Sequence, residues 1–431
     1  MFLKRRHFLA TATALGAAAL LPRSARSNTL RPRRVVIVGG GWGGLAAARY
    51  LREFAPDIDV TLLEKNAFFW SCPLSNKWLV GLIDDTLLSH DYHAAARTWN
   101  YRFVQTEVSI IERDARRVIT RAGPFDYDWL VMAVGIRHDY TAWFGDDLET
   151  ANYTSRHYPS AYTPGTEFQI LRDKLAHFKG GDLLMTVPPQ PFRCPPAPYE
   201  RAALIAGWLE ARKIPARLII IDPNSPNQEF QRIFHERFPR RIDYRAQTAV
   251  LTVDPHRRTV KTEFETLSFD DAILMPPQQA GTLAWQADLI GQQANKQPSG
   301  WAAVDPLSFA AVADPRIFMI GDMIDRVSPL FGHYPKSGQM ASRQGRIVAQ
   351  QIAAQAHGTT APRALPDSLC HIATQYDPPE AIRIASNYRI RGDGEIMPQT
   401  KVERDPQPRG EDIAWAQGMF GEFLAPSSGP R

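Results

Sequence analysis

A glycine-rich turn between a buried strand and a small-residue helix restricts the fold of this chain more than any other feature. Residues 33–44 read R-R-V-V-I-V-G-G-G-W-G-G, with Gly39, Gly41 and Gly44 at G-x-G-x-x-G spacing. A second apolar strand ends at Glu64, twenty residues after the last of these glycines. Such a set lets the backbone approach a pyrophosphate at a helix N-terminus, while the acid accepts ribose hydroxyls. The sequence therefore predicts a dinucleotide site at the edge of a parallel α/β sheet.

Two later strands that end in glycine favour FAD over a nicotinamide nucleotide. One covers 127–135 and ends at Gly135, and the other ends at Gly321 and Asp322. In flavoprotein disulfide reductases an aspartate at this second position holds the ribityl chain, so Asp322 is expected to do so here. Lys336 precedes a long helical stretch and would place positive potential beside the flavin edge that gains charge on reduction. A solvated surface lysine is the alternative.

Residues 146–284 repeat the strand–helix–strand pattern without the glycines. Apolar strands are predicted at 182–187 and 217–222, with a helix at 203–211 between them. The turn after the first of these strands, 188–196, holds several prolines and no glycine. Because prolines remove N–H donors, such a turn is the reverse of a pyrophosphate cradle. We predict a second Rossmann-like domain that lacks its nicotinamide loop, so electrons should enter or leave by another route.

The predicted fold class is α/β, with two Rossmann-like nucleotide-binding domains of the disulfide-reductase type and a C-terminal α+β interface domain. The predicted domains are a FAD-binding domain at 33–145 and 285–360, a second Rossmann-like domain at 146–284 and a C-terminal domain at 361–431. At 431 residues the chain is long enough for two or three buried cores.

The first 27 residues are expected to be a twin-arginine export signal. Arg5 and Arg6 precede an apolar run at 8–21, which is shorter than the roughly 20 residues that span a bilayer. This route exports folded, cofactor-loaded proteins, so we expect a periplasmic location. The segment carries five basic residues and no acid, while the whole chain has a formal charge of +5, so the remainder is nearly neutral. Nothing suggests nucleic acid binding, and no other segment is apolar and long enough to be a transmembrane segment.

The chain has three cysteines, Cys72, Cys194 and Cys370. In an oxidising compartment two can form a disulfide and one is left over, but spacing does not give the pairing. A redox-active pair, a structural bridge and unpaired thiols all remain open. No haem is expected on this chain, because Asp367 stands where C-x-x-C-H needs its first cysteine. Three scattered cysteines also do not make a zinc site, so no metal is predicted.

The chain resembles the flavoprotein subunit of flavocytochrome c sulfide dehydrogenase over essentially all of the sequence after the export signal. The matching segments include S-C-P-L-S-N around Cys72, P-F-R-C-P-P-A-P-Y-E-R-A around Cys194, M-P-P-Q-Q-A-G from Met275 and P-K-S-G around Lys336. This resemblance implies periplasmic oxidation of sulfide, with electrons passed from FAD to a c-type cytochrome subunit.

The resemblance also implies a role for each of four residues. Cys194 and Cys370 match a redox-active disulfide at the flavin. Cys72 matches a cysteine that binds FAD covalently through the 8α-methyl group. Glu200 matches an acid close to the disulfide, where it would manage protons; as an acid at a helix N-terminus it would be equally at home.

The sequence departs from the family at two positions and leaves two other functions open. Pro73 and His371, each directly after a cysteine, stand where an aromatic residue is common in the family. A sulfide:quinone reductase has a similar fold and cysteine chemistry, and predicts quinone reduction at a membrane. An accessory, non-catalytic flavoprotein of a sulfur-oxidising system would bind FAD without responding to sulfide.

Overall fold

Two parallel sheets organise the part of the chain that the computed structural model describes, residues 31–163 and 165–425. The predicted export signal lies outside the described residues. The strands are, in chain order, β1 (Arg34–Val38), β2 (Asp59–Glu64), β3 (Phe68–Trp70), β4 (Ser89–Asp91), β5 (Arg102–Gln105), β6 (Val108–Glu112), β7 (Arg117–Thr120), β8 (Gly123–Asp126), β9 (Trp129–Met132), β10 (Ile136–His138), β11 (Gly181–Thr186), β12 (Ala216–Ile221), β13 (Ile242–Arg245), β14 (Val250–Asp254), β15 (Thr259–Thr262), β16 (Thr266–Ser268), β17 (Asp271–Ile273), β18 (Gln278–Ala280), β19 (Ile290–Gln292), β20 (Pro298–Ala302), β21 (Ala310–Ala311), β22 (Asp314–Met319), β23 (Ser368–Gln375), β24 (Glu380–Ile390) and β25 (Ile396–Asp405). The helices are α1 (Trp42–Phe54), α2 (Ser75–Leu79), α3 (Tyr92–Trp99), α4 (Thr141–Phe144), α5 (Leu148–His157), α6 (Thr166–His177), α7 (Ala197–Ala211), α8 (Gln228–Arg237), α9 (Thr282–Gln286), α10 (Gly338–His357) and α11 (Glu411–Phe423).

The first sheet has the strand order β21-β22-β9-β1-β2-β5 and is parallel except for its β21 edge. Its central strand β1 is buried from Val35 to Val38, as expected for a strand covered on both faces. Helices α1 and α10 pack together beside it. Because β1, β9 and β22 are neighbours, the glycine turns that follow these three strands meet at one edge of the sheet.

The second sheet has the order β13-β12-β11-β17 and is parallel throughout. Its apolar strands are covered by helices that include α7, in which Leu204 and Ile205 are fully buried. The predicted α/β class with two Rossmann-like units is therefore confirmed. The predicted domain boundaries stay predictions.

The last part of the chain forms an antiparallel sheet, β23-β24-β25, and the helix α11. Strand β23 lies against α7 of the second unit. Helix α11 packs on α1, where Phe420 and Phe423 contact the indole of Trp42 at ring-centroid distances of 5.4 and 5.3 Å. Within the described residues, every helix is too short or too polar to cross a bilayer.

The contact between α1 and α10 depends on a glycine at the crossing point. A Cβ atom on Gly345 would lie 2.5 Å from the carbonyl oxygen of Gly43 and 2.9 Å from the backbone nitrogen of Ala47. We expect Gly345→Ala to lower the free energy of unfolding by about 1–3 kcal/mol, because the helices must separate. Gly418→Ala in α11 is the matched control, since its Cβ would meet nothing within 4 Å. Urea unfolding should show the control unchanged or stabilised by about 0.5–1 kcal/mol. Equal losses of unfolding free energy in the two variants would contradict this packing.

Candidate functional site

A cavity of about 1000 Å³ runs from the glycine turn of β1 to the three cysteines. It is lined by all but one of the residues predicted from sequence to bind cofactor or to react. These are Gly39, Gly41, Glu64, Cys72, Gly135, Cys194, Glu200, Gly321, Asp322, Lys336 and Cys370. The remaining one, Gly44, lies behind the turn, where a Cβ atom would come within 1.9 Å of the carbonyl oxygen of Gly39. Gly44 therefore permits the helix to pack close to the strand.

The pyrophosphate end of the cavity is built by backbone donors. Gly41 is the N-cap of α1 and offers no side-chain hydrogen bond, so the first N–H groups of the helix are left for a ligand. Glu64 lies at the end of β2, where its Oε2 accepts from the backbone of Gly40 at 2.8 Å and its Oε1 accepts from Asn66. This arrangement fits the diphosphate and ribose of a dinucleotide.

Buried polar atoms without partners mark the middle of the cavity. Oδ1 of Asp322 and Nε1 of Trp42 have no hydrogen-bond partner among the described residues. Both side chains line the cavity, and an acceptor and a donor left open inside a protein are costly unless a ligand satisfies them. A ribityl chain supplies hydroxyls of the right kind for Asp322. The residues present therefore fit FAD.

The thiol end combines cysteines from three separate parts of the chain. Cys72 precedes α2, Cys194 precedes α7 and Cys370 lies on β23. The predicted disulfide between Cys194 and Cys370 is not formed in this structure, since all three cysteines are free thiols. Both members of the pair nevertheless face the same cavity, and the charge of Cys370 is the largest charge effect on the pKa of Cys194 after burial.

The backbone holds Cys194 in an unusual conformation. Its φ is +49°, in the left-handed region that costs a residue other than glycine about 1–3 kcal/mol. Two hydrogen bonds hold the segment: Cys194 N–H donates to the carbonyl of Lys336 at 2.8 Å, and Arg193 N–H donates to Oε1 of Gln278 at 2.8 Å. The proline-rich loop of the second unit is thus tied to the segment that precedes α10.

Glu200 is placed beside the cysteines by two donors. Its Oε2 accepts from Nδ2 of Asn76 at 2.7 Å, and its Oε1 accepts from the backbone N–H of Ala373 at 2.8 Å. Burial raises the pKa of Glu200, and the two hydrogen bonds partly offset that effect. Arg201 fixes Asn76 in turn, because its Nε donates to Oδ1 of Asn76 at 3.0 Å. The carboxyl group therefore stands ready to exchange a proton inside the cavity.

Comparisons with known proteins are consistent with a cavity that binds a nucleotide cofactor. Residues 33–165 match the family described as pyridine nucleotide-disulphide oxidoreductase, and residues 168–276 match the central part of the flavocytochrome c sulfide dehydrogenase flavoprotein chain. The sulfide-quinone reductase of Aquifex aeolicus is 25% identical over 348 residues, which cover 74% of this chain and 76% of that protein. The chain is therefore similar to flavoprotein disulfide oxidoreductases in each of its two Rossmann-like units.

Solved structures show the same fold. The sulfide:quinone oxidoreductase of Aquifex aeolicus aligns with a TM-score of 0.67 at 19% identity, covering 92% of this chain and 93% of that one. A ferredoxin reductase from Rhodopseudomonas palustris aligns with a TM-score of 0.61 at 19% identity, covering 83% of this chain and 85% of that one.

In the second Rossmann-like unit, the position of a nucleotide's ribose is occupied by the chain's own side chains. Asp222 follows β12, where a Rossmann unit carries the acid that binds ribose. It is 0% exposed, and its Oδ2 accepts from the hydroxyls of Tyr199 and Tyr244 at 2.7 Å each. Its Oδ1 accepts from the backbone and side chain of Asn224. Nothing of this carboxylate is left for a nucleotide.

The sequence analysis did not identify Arg193, which lines the cavity and contacts several of its other residues. Its Nε donates to Oδ2 of Asp322 at 2.5 Å, one Nη donates to the carbonyl of Tyr162 at 2.7 Å, and the same Nη lies 4.0 Å from the sulfur of Cys72. The guanidinium thus connects the cysteine loop with the predicted ribityl-binding acid. A lone arginine among prolines directly before Cys194 was the available signal.

Lys336 is buried, so the surface-lysine alternative is wrong, and its ammonium is committed to the backbone. Nζ donates to the carbonyls of Asp322 and Ile324 at 2.8 Å each and lies 3.6 Å from the ring centroid of Trp301. Burial lowers the pKa of Lys336 to about 7, against the opposing effect of Asp322 and Asp325. Its predicted role at the flavin edge stays a prediction.

This pKa predicts how stability depends on pH. Between pH 7 and 10.5 the unfolded chain keeps a proton on Lys336 that the folded chain has released, so the lysine's contribution to stability rises with pH. The free energy of unfolding of the wild type should therefore increase relative to Lys336→Met from pH 7 to pH 9 in urea titrations. Lys179→Met, at an exposed position, is the control and should differ from the wild type equally at both pH values. A difference for Lys336→Met that does not change with pH would contradict the assignment.

Proposed function

We propose that this chain oxidises sulfide at Cys194 and Cys370 with the help of FAD. The observation that carries the proposal is that both cysteines, which are 176 positions apart in sequence, line the cavity that fits FAD. The filled second nucleotide site gives it further support, since it leaves the thiols as the route by which electrons enter. The similarity to a sulfide-quinone reductase and to a sulfide dehydrogenase flavoprotein supports sulfide as the donor.

The reaction begins on the disulfide form of the pair. Hydrosulfide attacks the sulfur of Cys370, a new S–S bond forms, and the Cys194–Cys370 bond breaks with its electron pair left on Cys194. A second hydrosulfide then takes the outer sulfur of the Cys370 persulfide and departs as disulfide dianion or its protonated form. The pair is now reduced, and sulfide has been oxidised by two electrons.

Attack at Cys370 follows from the placement of the two cysteines. The neighbours of Cys370 on β23, His371 and Ile372, line both the cavity and an adjoining pocket of about 520 Å³. Cys194 is bonded through its backbone to Lys336, on the side of the glycine turns. Substrate arriving from the adjoining pocket reaches Cys370 first. Glu200, whose pKa is raised by burial, takes up and returns the protons of the two thiols.

FAD, when bound, would supply the two-electron oxidation that returns the thiols to the disulfide, and an external acceptor would then take the electrons. Gly39, Gly41 and Glu64 would hold its adenosine diphosphate half, and Gly321 with Asp322 its ribityl half. Cys72, which lines the same cavity beside Arg193, would form the proposed covalent bond to the flavin. Flavin fluorescence that stays with the acid-denatured polypeptide would support that bond, and free flavin would contradict it.

A quinone is the first candidate acceptor, because a sulfide-quinone reductase is similar to this chain over 74% of its length. A c-type cytochrome subunit is the second candidate, supported by the match of residues 168–276 to a flavocytochrome c flavoprotein chain. Export by the twin-arginine route to the periplasm belongs to the same proposal and is compatible with either acceptor.

Anaerobic titration of the FAD-loaded full chain with sulfide tests the proposal. We expect sulfide, and not NADH, to bleach the flavin absorbance. A soluble quinone and an oxidised c-type cytochrome should then be added in separate experiments. The one that restores the flavin absorbance is the acceptor. Retained absorbance in protein that contains FAD would overturn the proposal and favour the accessory, non-catalytic flavoprotein.

A further inference from the structure

Two buried side chains, Arg201 and Asn76, lead to the carboxyl of Glu200. Arg201 is 2% exposed and Asn76 is 4% exposed, and Nε of the arginine donates to Oδ1 of the asparagine at 3.0 Å. Because an arginine can only donate, the atom of Asn76 that faces it is the carbonyl oxygen. The amide nitrogen is thereby turned the other way, where Nδ2 donates to Oε2 of Glu200 at 2.7 Å and to the carbonyl of Ala197 at 3.1 Å. All the hydrogen bonds of this amide therefore agree on one orientation.

Arg201 is a buried cation that forms no ion pair with the described residues. The other nitrogens of its guanidinium donate to the backbone carbonyls of Ser160 and Ala161. A buried charge is costly unless the fold compensates it. Asn76 lies between this charge and Glu200, so the cation aligns the amide dipole and its positive end is directed at the carboxyl group. The arrangement favours the charged form of Glu200.

Glu200 connects the two segments that carry the reacting cysteines. It lies on the first turn of α7, shortly after Cys194, and its Oε1 accepts from the N–H of Ala373 on β23, three positions after Cys370. Both cysteines and Glu200 line the same cavity. A carboxylate at this place can take the proton of a thiol, whose sulfur keeps the electron pair as a thiolate, and can later return that proton. It can accept the proton only while it is ionised.

The protonation of Glu200 depends on its two donors more than on the charges around it. Burial raises the pKa of Glu200, and hydrogen bonds from the backbone of Ala373 and the amide of Asn76 oppose that effect. Lys77 and Asp412 act in opposite directions on this pKa and form an ion pair with each other. The ionisable groups around Glu200 come from α2, α7, α11, β23 and the loop before α7, and are Lys77, Arg201, Asp412, Cys370 and Cys194. Of the two donors, only the side chain of Asn76 can be removed by substitution.

We propose that Asn76 is a positioning residue: Arg201 orients its amide, and the amide holds the carboxyl of Glu200 as the proton acceptor for the cysteine thiols. The inference rests on the proposed function, in which Glu200 exchanges protons with Cys194 and Cys370. Asn76 itself exchanges no proton and acts only through Glu200.

Infrared titration of the FAD-loaded full chain tests the inference without using sulfide. In each protein, the C=O stretching band of protonated Glu200 is identified as the band that is lost when Glu200→Gln is added, and its intensity is followed against pH. We expect the midpoint to move to higher pH by about one unit or more in Asn76→Leu, because the charged carboxylate loses a donor. Asn76→Asp should move it at least as far, because this variant keeps an acceptor for Arg201 and turns a second carboxyl oxygen toward Glu200.

Asn224 is the matched control, because its amide makes the same kinds of hydrogen bond at another buried carboxylate. Its Nδ2 donates to Oδ1 of Asp222 and to the carbonyl of Pro188, and its Oδ1 accepts from the N–H of Gln190. Asn224 is not one of the described residues that line the cysteine cavity. Asn224→Leu and Asn224→Asp should therefore leave the midpoint of Glu200 unchanged.

The kinetic counterpart is the pH profile of flavin bleaching by sulfide, whose acid side should move to higher pH in Asn76→Leu and stay in place in Asn224→Leu. A Glu200 midpoint that stays in place or moves to lower pH in the Asn76 variants, or that moves equally in the Asn224 variants, would overturn the inference. Wild-type protein whose flavin is not bleached by sulfide would instead overturn the proposed function, while the infrared titration would still decide whether Asn76 controls Glu200.

Discussion

Replacement of Cys194 or of Cys370 by serine is expected to abolish reduction of the flavin by sulfide. Either change removes one sulfur of the disulfide, so hydrosulfide has no S–S bond to attack and no thiolate can leave. Removal of a nucleophile that acts as part of a unit typically costs roughly 10³-fold or more, and the two single variants and the double variant should be similarly slow. Anaerobic stopped-flow spectroscopy of flavin absorbance after mixing with sulfide measures the effect.

Two controls separate loss of chemistry from loss of the protein. Dithionite should still bleach the flavin in each serine variant, because it does not need the cysteines. Cys72→Ser that has been loaded with FAD should keep sulfide-dependent bleaching, since Cys72 has no part in the proposed disulfide. If Cys194→Ser or Cys370→Ser bleached with sulfide at the wild-type rate, the thiol route would be wrong.

The first nucleotide site could be predicted because its signals are local. The strand, the three glycines and Glu64 are close in sequence, and the structure forms β1, α1 and β2 there within a few residues of the predicted bounds. The glycine turns after β9 and β22 are distant in sequence, but parallel strands bring their carboxyl ends to one edge. Local pattern and sheet topology together therefore placed the predicted cofactor residues in one cavity.

The start of α7 shows where local reasoning fails. The sequence predicts a helix from 203, whereas the structure begins it at Ala197, within the proline-rich segment. Prolines end a helix when they lie in its interior, but Pro198 falls in the first turn, where its missing N–H costs nothing. The earlier start puts Glu200 on the first turn of α7, in reach of Asn76 and the backbone of β23.

Residues whose roles depend on long-range contacts could not be predicted. Asp222 reads as an ordinary ribose-binding acid, and only the tertiary structure shows that Tyr199 and Tyr244 occupy it. Arg193 is conspicuous in the sequence, but its partner Asp322 is 129 positions away.

The second large expected effect comes from breaking the ion pair between Arg193 and Asp322. Arg193→Met should lower the free energy of unfolding by about 3–5 kcal/mol, because it leaves the carboxylate of Asp322 buried without its counter-charge. The side chains of the pair are only 17% and 12% exposed, so solvent does not replace the lost partner. The FAD content of the purified protein should fall as well, since Arg193 orients Asp322, the acid that is predicted to bind the ribityl chain.

A double-mutant cycle separates the pair from simple loss of packing. Arg193→Met combined with Asp322→Asn removes both charges, so it should recover a large part of the stability lost in Arg193→Met, while FAD content stays low. Arg217→Met is the matched control, because its pair with Asp182 is exposed on the surface, at 50% and 34%, and should cost less than about 1 kcal/mol. Urea unfolding and the ratio of flavin to protein absorbance measure both quantities. A double variant no more stable than Arg193→Met would show that the guanidinium acts by filling space, and that its charge does not hold the cysteine loop to the cofactor site.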